Sequence, residues 1–273
     1  MTIGDSIATK TIGARLWLYS NYHCNLACSY CLTSSSRDVP KRELAADIML
    51  ALVDEAATLG FRSVGITGGE PFVRADMPDI VAAVARRLPV VVLTNGTMFT
   101  PRFVARLAPL ATLPAALQVS LDSADPAAND ALRGRGTYAR VIAGIRTLRA
   151  AAIKVRIGST VDDGAGAALE PLCELHRSLG ILDADHVVRP VVRRGRAADH
   201  ALGIAAQLED LPAELTLTVD GAFWSPASPT VRNGRLDIGE LLTRTIAPLR
   251  IPAEAMLRYA SSGGMPQGTG LVA

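Results

Sequence analysis

The stretch Leu16-Trp-Leu-Tyr-Ser-Asn-Tyr-His-Cys-Asn-Leu-Ala-Cys-Ser-Tyr-Cys31 runs an apolar segment straight into three closely spaced cysteines. Leu16–Ser20 reads as a β-strand and the residues behind it as a loop. Where parallel strands build an α/β fold, ligands gather at the carboxyl ends of the strands, so this loop lies where a site belongs. Cys24, Cys28 and Cys31 are three of only 4 cysteines in 273 residues. A disulfide framework spreads its cysteines along the chain, and a reducing compartment disfavours it, so the cluster of three points to a shared metal centre. In a cubane [4Fe–4S] cluster each iron usually takes a cysteine, which leaves one iron open here unless Cys173 supplies a fourth thiolate. A structural zinc ion needs a fourth Cys or His, and His23, adjoining Cys24, is poorly placed to join the same metal.

Outward from this loop, β-branched runs alternate with helical patterns. Strands are expected at Ser63–Thr67, Val90–Thr94, Leu117–Leu121, Ile153–Thr160 and His186–Arg189. Leu44, Ile48, Leu52, Ala56 and Leu59 recur every three or four residues, the pattern of a one-faced helix, with Gly60 as its stop. Further helices are expected at Met77–Arg87, Arg102–Leu107, Tyr138–Ala150 and Ala167–Leu179. Such alternation predicts an α/β fold with parallel strands and helices outside, as a doubly wound sheet or a full or partial barrel.

After Arg189 the rhythm breaks. Leu215–Val219, Asp220-Gly221 and Ala222–Trp224 read as a hairpin with a favoured turn pair. Asn233-Gly234 marks a second turn and Ile238–Leu249 a short helix. The Gly- and Ser-rich tail 261–273 is expected to be mobile. The division is therefore a core over 1–190, an α+β extension over 191–260 and the tail.

The 28 basic and 26 acidic residues leave a net charge of +2, which offers no electrostatic case for nucleic acid. No segment reaches the roughly 18 uninterrupted apolar residues of a membrane span, and residues 1–10 lack the regions of a signal peptide. The expectation is a cytoplasmic protein with no membrane partner. The one dense basic stretch holds Arg189, Arg193, Arg194 and Arg196, either a solvated loop or a grip on a substrate carboxylate or phosphate. Cys173 reads as a helix thiol beside a buried side of Leu172, Leu175 and Leu179. His176, His186 and His200 read as structural or surface residues, and Phe223 and Trp224 as packing for the extension.

The pattern Cys24-x3-Cys28-x2-Cys31 resembles the signature of radical S-adenosylmethionine (radical SAM) enzymes, and the likeness extends along residues 14–197. Tyr30 fills the aromatic position before the third cysteine. Gly68-Gly69-Glu70-Pro71 ends the second strand, Thr94-Asn95-Gly96 the third and Ser120-Leu121-Asp122 the fourth, each similar to the corresponding family segment. Singly, Asn95-Gly96 is a common turn and Ser120 or Asp122 an ordinary helix cap. Their placement at successive strand ends is what carries the resemblance.

The resemblance implies a partial (β/α)6 TIM-like barrel, one [4Fe–4S] cluster, and S-adenosylmethionine chelating the open iron through its amino and carboxylate groups. It implies that Tyr30 lies near the adenine, that Gly68 and Gly69 admit close backbone approach to the ligand, and that Glu70 accepts from its ammonium. Asn95 would orient the ligand, Ser120 and Asp122 would reach its ribose or methionine side, and Arg133, Arg135 and Arg140 are candidate cations for its carboxylate. It further implies a 5′-deoxyadenosyl radical that abstracts hydrogen, and a flavodoxin or ferredoxin type electron donor. Residues from Arg189-Pro190 onward resemble the junction to SPASM or twitch extensions. Where those carry a cysteine after the hairpin, this chain reads Trp224-Ser225-Pro226-Ala227, so the auxiliary cluster is expected to be lost. That favours redox-neutral chemistry on a small polar metabolite. With the first strand opening at Leu16, no leader-peptide-binding domain is expected ahead of it, and peptide side-chain modification is the alternative. A non-catalytic cluster protein is the second alternative.

Overall fold

The computed structural model describes residues 2–161, 169–207, 210–232, 235–262 and 271–272. Six parallel strands, β1 (Arg15–Tyr19), β2 (Ser63–Thr67), β3 (Val90–Thr94), β4 (Ala115–Ser120), β5 (Val155–Val161) and β6 (His186–Pro190), pair in sequence order. After a short opening helix α1 (Ile3–Ala8), the crossovers carry α2 (Ala46–Leu59), α3 (Met77–Ala85), α4 (Pro101–Ala105), α5 (Pro126–Arg133), α6 (Thr137–Ala150) and α7 (Leu169–Ser178). This is the partial barrel the resemblance implies.

Alternation along the strands makes the two faces. Leu16, Leu18, Val64, Ile66, Val92, Leu117 and Ile157 are fully buried and share one core with Met49, Leu52, Val53 and Ala56 of α2. Each such side chain contributes about 1.5–3 kcal/mol by leaving water. The intervening residues face the barrel interior, where Trp17 lies in register with Gly65. Helix α2 stops at Gly60, which is left-handed and donates its N–H to Ala56.

Beyond β6 and the short α8 (Arg196–Asp199), the hairpin β7 (Thr216–Thr218) and β8 (Gly221–Phe223) joins the barrel sheet. Strand β7 runs parallel to β1 with Trp17 opposite Thr216, and β11 (Leu241–Thr243) extends the edge to nine strands. The turn is Val219-Asp220, one residue earlier than expected, because Thr218 pairs with Gly221. The helix expected at Ile238–Leu249 is not one. Residues 241–243 pair with β8 instead, and helix α9 covers Arg250–Ser262. The β-branched pair Thr243 and Thr245 and the Pro248 that follows favour an extended path there. Strands β9 (Thr230–Arg232) and β10 (Arg235–Asp237) pair antiparallel, and β12 (Leu271–Val272) adds to β10. The Asn233-Gly234 turn, residues 167–168 of the helix expected at Ala167–Leu179 and most of the expected tail lie outside the described residues. Among the described residues no helix is long and apolar enough to cross a membrane.

Candidate functional site

The three cysteines follow β1, at the carboxyl ends of the parallel strands. Cys24 is buried, while Cys28 and Cys31 are partly exposed, and none is in a disulfide. The loop is closed by its own backbone, with Cys31 N–H donating to the Cys28 carbonyl at 3.2 Å and Ser34 N–H to Cys31 at 3.3 Å. Two donors are aimed at the Cys24 sulfur, the Leu26 N–H at 3.4 Å and Asn95 Nδ2 at 3.8 Å. Burial pushes the Cys24 thiol up to about 12, with Glu70 pushing the same way. Burial raises Cys28 too, opposed by the nearby Arg133 and Arg196 guanidinium groups.

Glycines 68 and 69 serve the loop directly. A Cβ on Gly68 would stand 2.2 Å from the Asn21 carbonyl oxygen, and one on Gly69 would stand 2.1 Å from that of His23. Gly69 N–H donates to Asn21 and Glu70 N–H to His23, both at 3.0 Å, so the end of β2 cradles the entry to the cysteine loop. Glu70 turns its fully buried carboxylate inward, accepting from Phe72 N–H at 3.0 Å, Thr94 Oγ1 at 2.8 Å and Asn95 N–H at 2.7 Å. It ties the end of β2 to the end of β3, and burial raises its pKa. Asn95 also faces the loop, donating to Asn25 Oδ1 at 2.7 Å.

Tyr30 brings the loop to the end of β4. Its hydroxyl donates to Asp122 Oδ2 at 2.5 Å, and Arg133 Nη1 reaches both that carboxylate, at 3.0 Å, and the Tyr30 hydroxyl. The second Asp122 oxygen accepts from Thr160 N–H of β5 at 2.8 Å. Ser120 sits half-buried at the end of β4. Of the three candidate arginines, only Arg133 enters this group. Arg135 is exposed, and exposed Arg140 donates to the Gly136 carbonyl at 3.1 Å.

The basic stretch after β6 is also occupied by protein. Arg193 donates to the Gly203 carbonyl, Arg194 pairs with Glu240 at 2.5 Å, and Arg196 donates to the Ser35 carbonyl at 2.5 Å. Gly195, at φ +53, would place a Cβ 1.9 Å from the Leu32 carbonyl oxygen, and Arg196 N–H donates to Cys31 at 2.9 Å. This backing of the cysteine loop was not legible in the sequence, although a glycine beside an arginine after a strand end was its one available signal. Cys173 lies on α7, where its sulfur stands 3.7 Å from His186 Nδ1. His23 donates its Nδ1 proton to the Val39 carbonyl at 3.0 Å.

The donor set suits an iron–sulfur cluster. Among the described residues no three His, Cys, Asp or Glu side chains gather closely enough for a single metal ion. A cluster spreads its thiolates further apart than a single ion does. N–H groups aimed at a ligand sulfur and cations beside another offset the negative charge such a centre brings.

Barrel, cysteine loop and strand-end motifs together define a class, and the chain belongs to the radical SAM superfamily, whose family model matches residues 18–166. Members of that superfamily carry a [4Fe–4S] cluster and S-adenosylmethionine. The chain is 36% identical over 166 residues to an AdoMet-dependent heme synthase of Methanosarcina barkeri, covering 60% of this chain and 47% of that protein. It is 39% identical to the mycofactocin maturase MftC of Mycolicibacterium smegmatis, covering 46% of this chain and 32% of that one. It thus spans a third to a half of the length of these relatives. Among solved structures, Streptococcus suis SuiB bound to precursor peptide SuiA shares the fold, with a TM-score of 0.58 at 20% identity, over 67% of this chain and 40% of that one.

Proposed function

We propose that this chain is a radical SAM enzyme holding its cluster on Cys24, Cys28 and Cys31, with one iron left for S-adenosylmethionine. The observation that carries the reading is the cysteine loop, three thiols at the strand ends with N–H donors on one sulfur and guanidinium groups beside another. When bound and reduced, the cluster supplies the electron that splits S-adenosylmethionine into methionine and a 5′-deoxyadenosyl radical able to remove hydrogen from an unactivated carbon.

The chain's own residues position and shield. Tyr30, locked by Asp122 and Arg133, would offer an aromatic face to the adenine, and Ser120 would supply a hydroxyl to the ribose or methionine side. Arg133 is the cation for the ligand carboxylate, chosen over Arg135 and Arg140 by its place beside Cys28. Gly68 and Gly69 present backbone to the ligand's methionine side. Glu70 and Asn95 act first as braces between strand ends and loop, with Glu70 also the acceptor proposed for the ligand ammonium.

The reading places residues 1–190 in the core and 191–260 in a degenerate SPASM- or twitch-like extension. With no cysteine after Cys173, a redox-neutral outcome is favoured: epimerisation, elimination, rearrangement or radical addition on a small polar metabolite. The similarity to MftC and the SuiB fold support the second reading, modification of a peptide side chain. A flavodoxin or ferredoxin type protein supplies the electron in either case. The test is anaerobic reconstitution, reduction with dithionite and chromatography for 5′-deoxyadenosine. Its formation from S-adenosylmethionine supports the enzyme reading, and an intact cluster that forms none defeats it.

A further inference from the structure

The barrel has a second end. Opposite the cysteine loop, around the starts of the strands, lies an open cavity of about 400 Å³ whose lining includes Arg15, Val91, Ala116, Lys154, Arg156 and Asp185. That volume is in the range of small-molecule sites, roughly 300–1,000 Å³. In barrels of this kind the amino-terminal face ordinarily serves stability and the chemistry sits at the other end. This cavity is nonetheless rich in charged donors.

The interior between the two ends is filled. Trp17, 1% exposed, lies over Gly65, where a Cβ would meet the indole at 2.2 Å. Gln118, 6% exposed, lies over Gly158, where a Cβ would meet its Nε2 at 2.8 Å. A ligand in the lower cavity is therefore separate from one at the cysteine loop.

Three cations and one carboxylate line the cavity, and two of the cations stand near the carboxylate. Asp185 Oδ1 stands 3.3 Å from Lys154 Nζ and 3.7 Å from Arg156 Nε, the latter beyond hydrogen-bond reach. The Nε atoms of Arg15 and Arg156 are buried and have no hydrogen-bond partner among the described residues. The Arg15 guanidinium is held 5.4 Å from the centre of the Trp17 ring. Planar guanidinium donors fixed in a partly desolvated cavity with surplus positive charge match an oxyanion, which accepts from two of them at once.

We infer that the amino-terminal mouth of the barrel is a binding site for a small molecule bearing a phosphate or carboxylate group, with Arg15, Lys154 and Arg156 as its anchors. The site is independent of the radical chemistry and stands or falls without turnover.

Titration of the full chain with inorganic phosphate and with succinate, at constant ionic strength set by sodium chloride, tests it. Calorimetry should show saturable binding of one of the two, phosphate identifying the phosphate class and succinate the carboxylate class. Arg156→Gln should weaken that binding at least tenfold. Lys154→Glu, at a side chain 60% exposed, should do the same while leaving the circular dichroism spectrum unchanged. No saturable binding of either anion, or binding undiminished in a folded Lys154→Glu protein, overturns the inference.

Discussion

Arg133 on α5 and Asp122 at the end of β4 form an ion pair at 3.0 Å in which the arginine side chain is 4% exposed and the carboxylate is fully shut from solvent. Tyr30 donates to the same carboxylate, so one buried group joins the cysteine loop to two elements of the barrel. Breaking such a pair from one side leaves a stranded charge, which costs about 3–5 kcal/mol. Asp122→Ala should lower the urea unfolding free energy by that order. The paired replacement Asp122→Leu with Arg133→Met should cost clearly less than the single change. Equal losses in the two proteins would show that the pair is not the source of the effect.

Gly195 tests the backing of the cysteine loop. At φ +53 with a carbonyl 1.9 Å from the position of a Cβ, Gly195→Ala cannot be accommodated unless residues 31–32 move. The iron bound after reconstitution should fall well below that of the unchanged protein. Gly136→Ala is the control, since Gly136 is also left-handed, at φ +73, but has nothing within 4 Å. It should cost about 1 kcal/mol of backbone strain and leave iron content intact. Equal loading of the Gly195→Ala protein would remove this segment from the account of the site.

The central strands were legible because they are largely buried and read as short apolar runs, Val90–Thr94 most plainly. Ser63–Thr67 and Val90–Thr94 match the expected bounds. The cysteine loop was legible because its ligand spacing is local. What escaped was long-range. Glu70 meets Thr94 and Asn95 only once β2 and β3 lie side by side, and Gly195 meets Leu32 only when the chain returns after β6. Residues 238–249 failed for the opposite reason. Their apolar spacing fits a short helix, but an open strand edge at β8 offered pairing that outweighed the local preference. On α7 the expected apolar side does face the core, with Leu172 buried and Leu175 half-buried, and His176 joins it as a fully buried residue.

That histidine predicts a pH dependence. His176 is 1% exposed, neither ring nitrogen has a hydrogen-bond partner among the described residues, and its ring meets His186 edge to face at 4.3 Å. Burial lowers its pKa to about 4 from an ordinary 6.5, with His186 pushing the same way. The unfolded chain therefore binds the proton first as pH falls. Stability is fully present above about pH 6.5 and is lost as the pH drops towards 4, by up to about 3 kcal/mol. His176→Leu should flatten that fall in urea melts taken between these limits. An unchanged slope would place the acid sensitivity elsewhere.

The central claim is that three thiolates hold a cluster with one iron open to S-adenosylmethionine. Electron paramagnetic resonance of the reconstituted, dithionite-reduced protein tests it most directly. The account predicts a reduced [4Fe–4S] signal that shifts when S-adenosylmethionine is added and that is absent from Cys28→Ala. A signal indifferent to S-adenosylmethionine, or one that persists in Cys28→Ala, would contradict it.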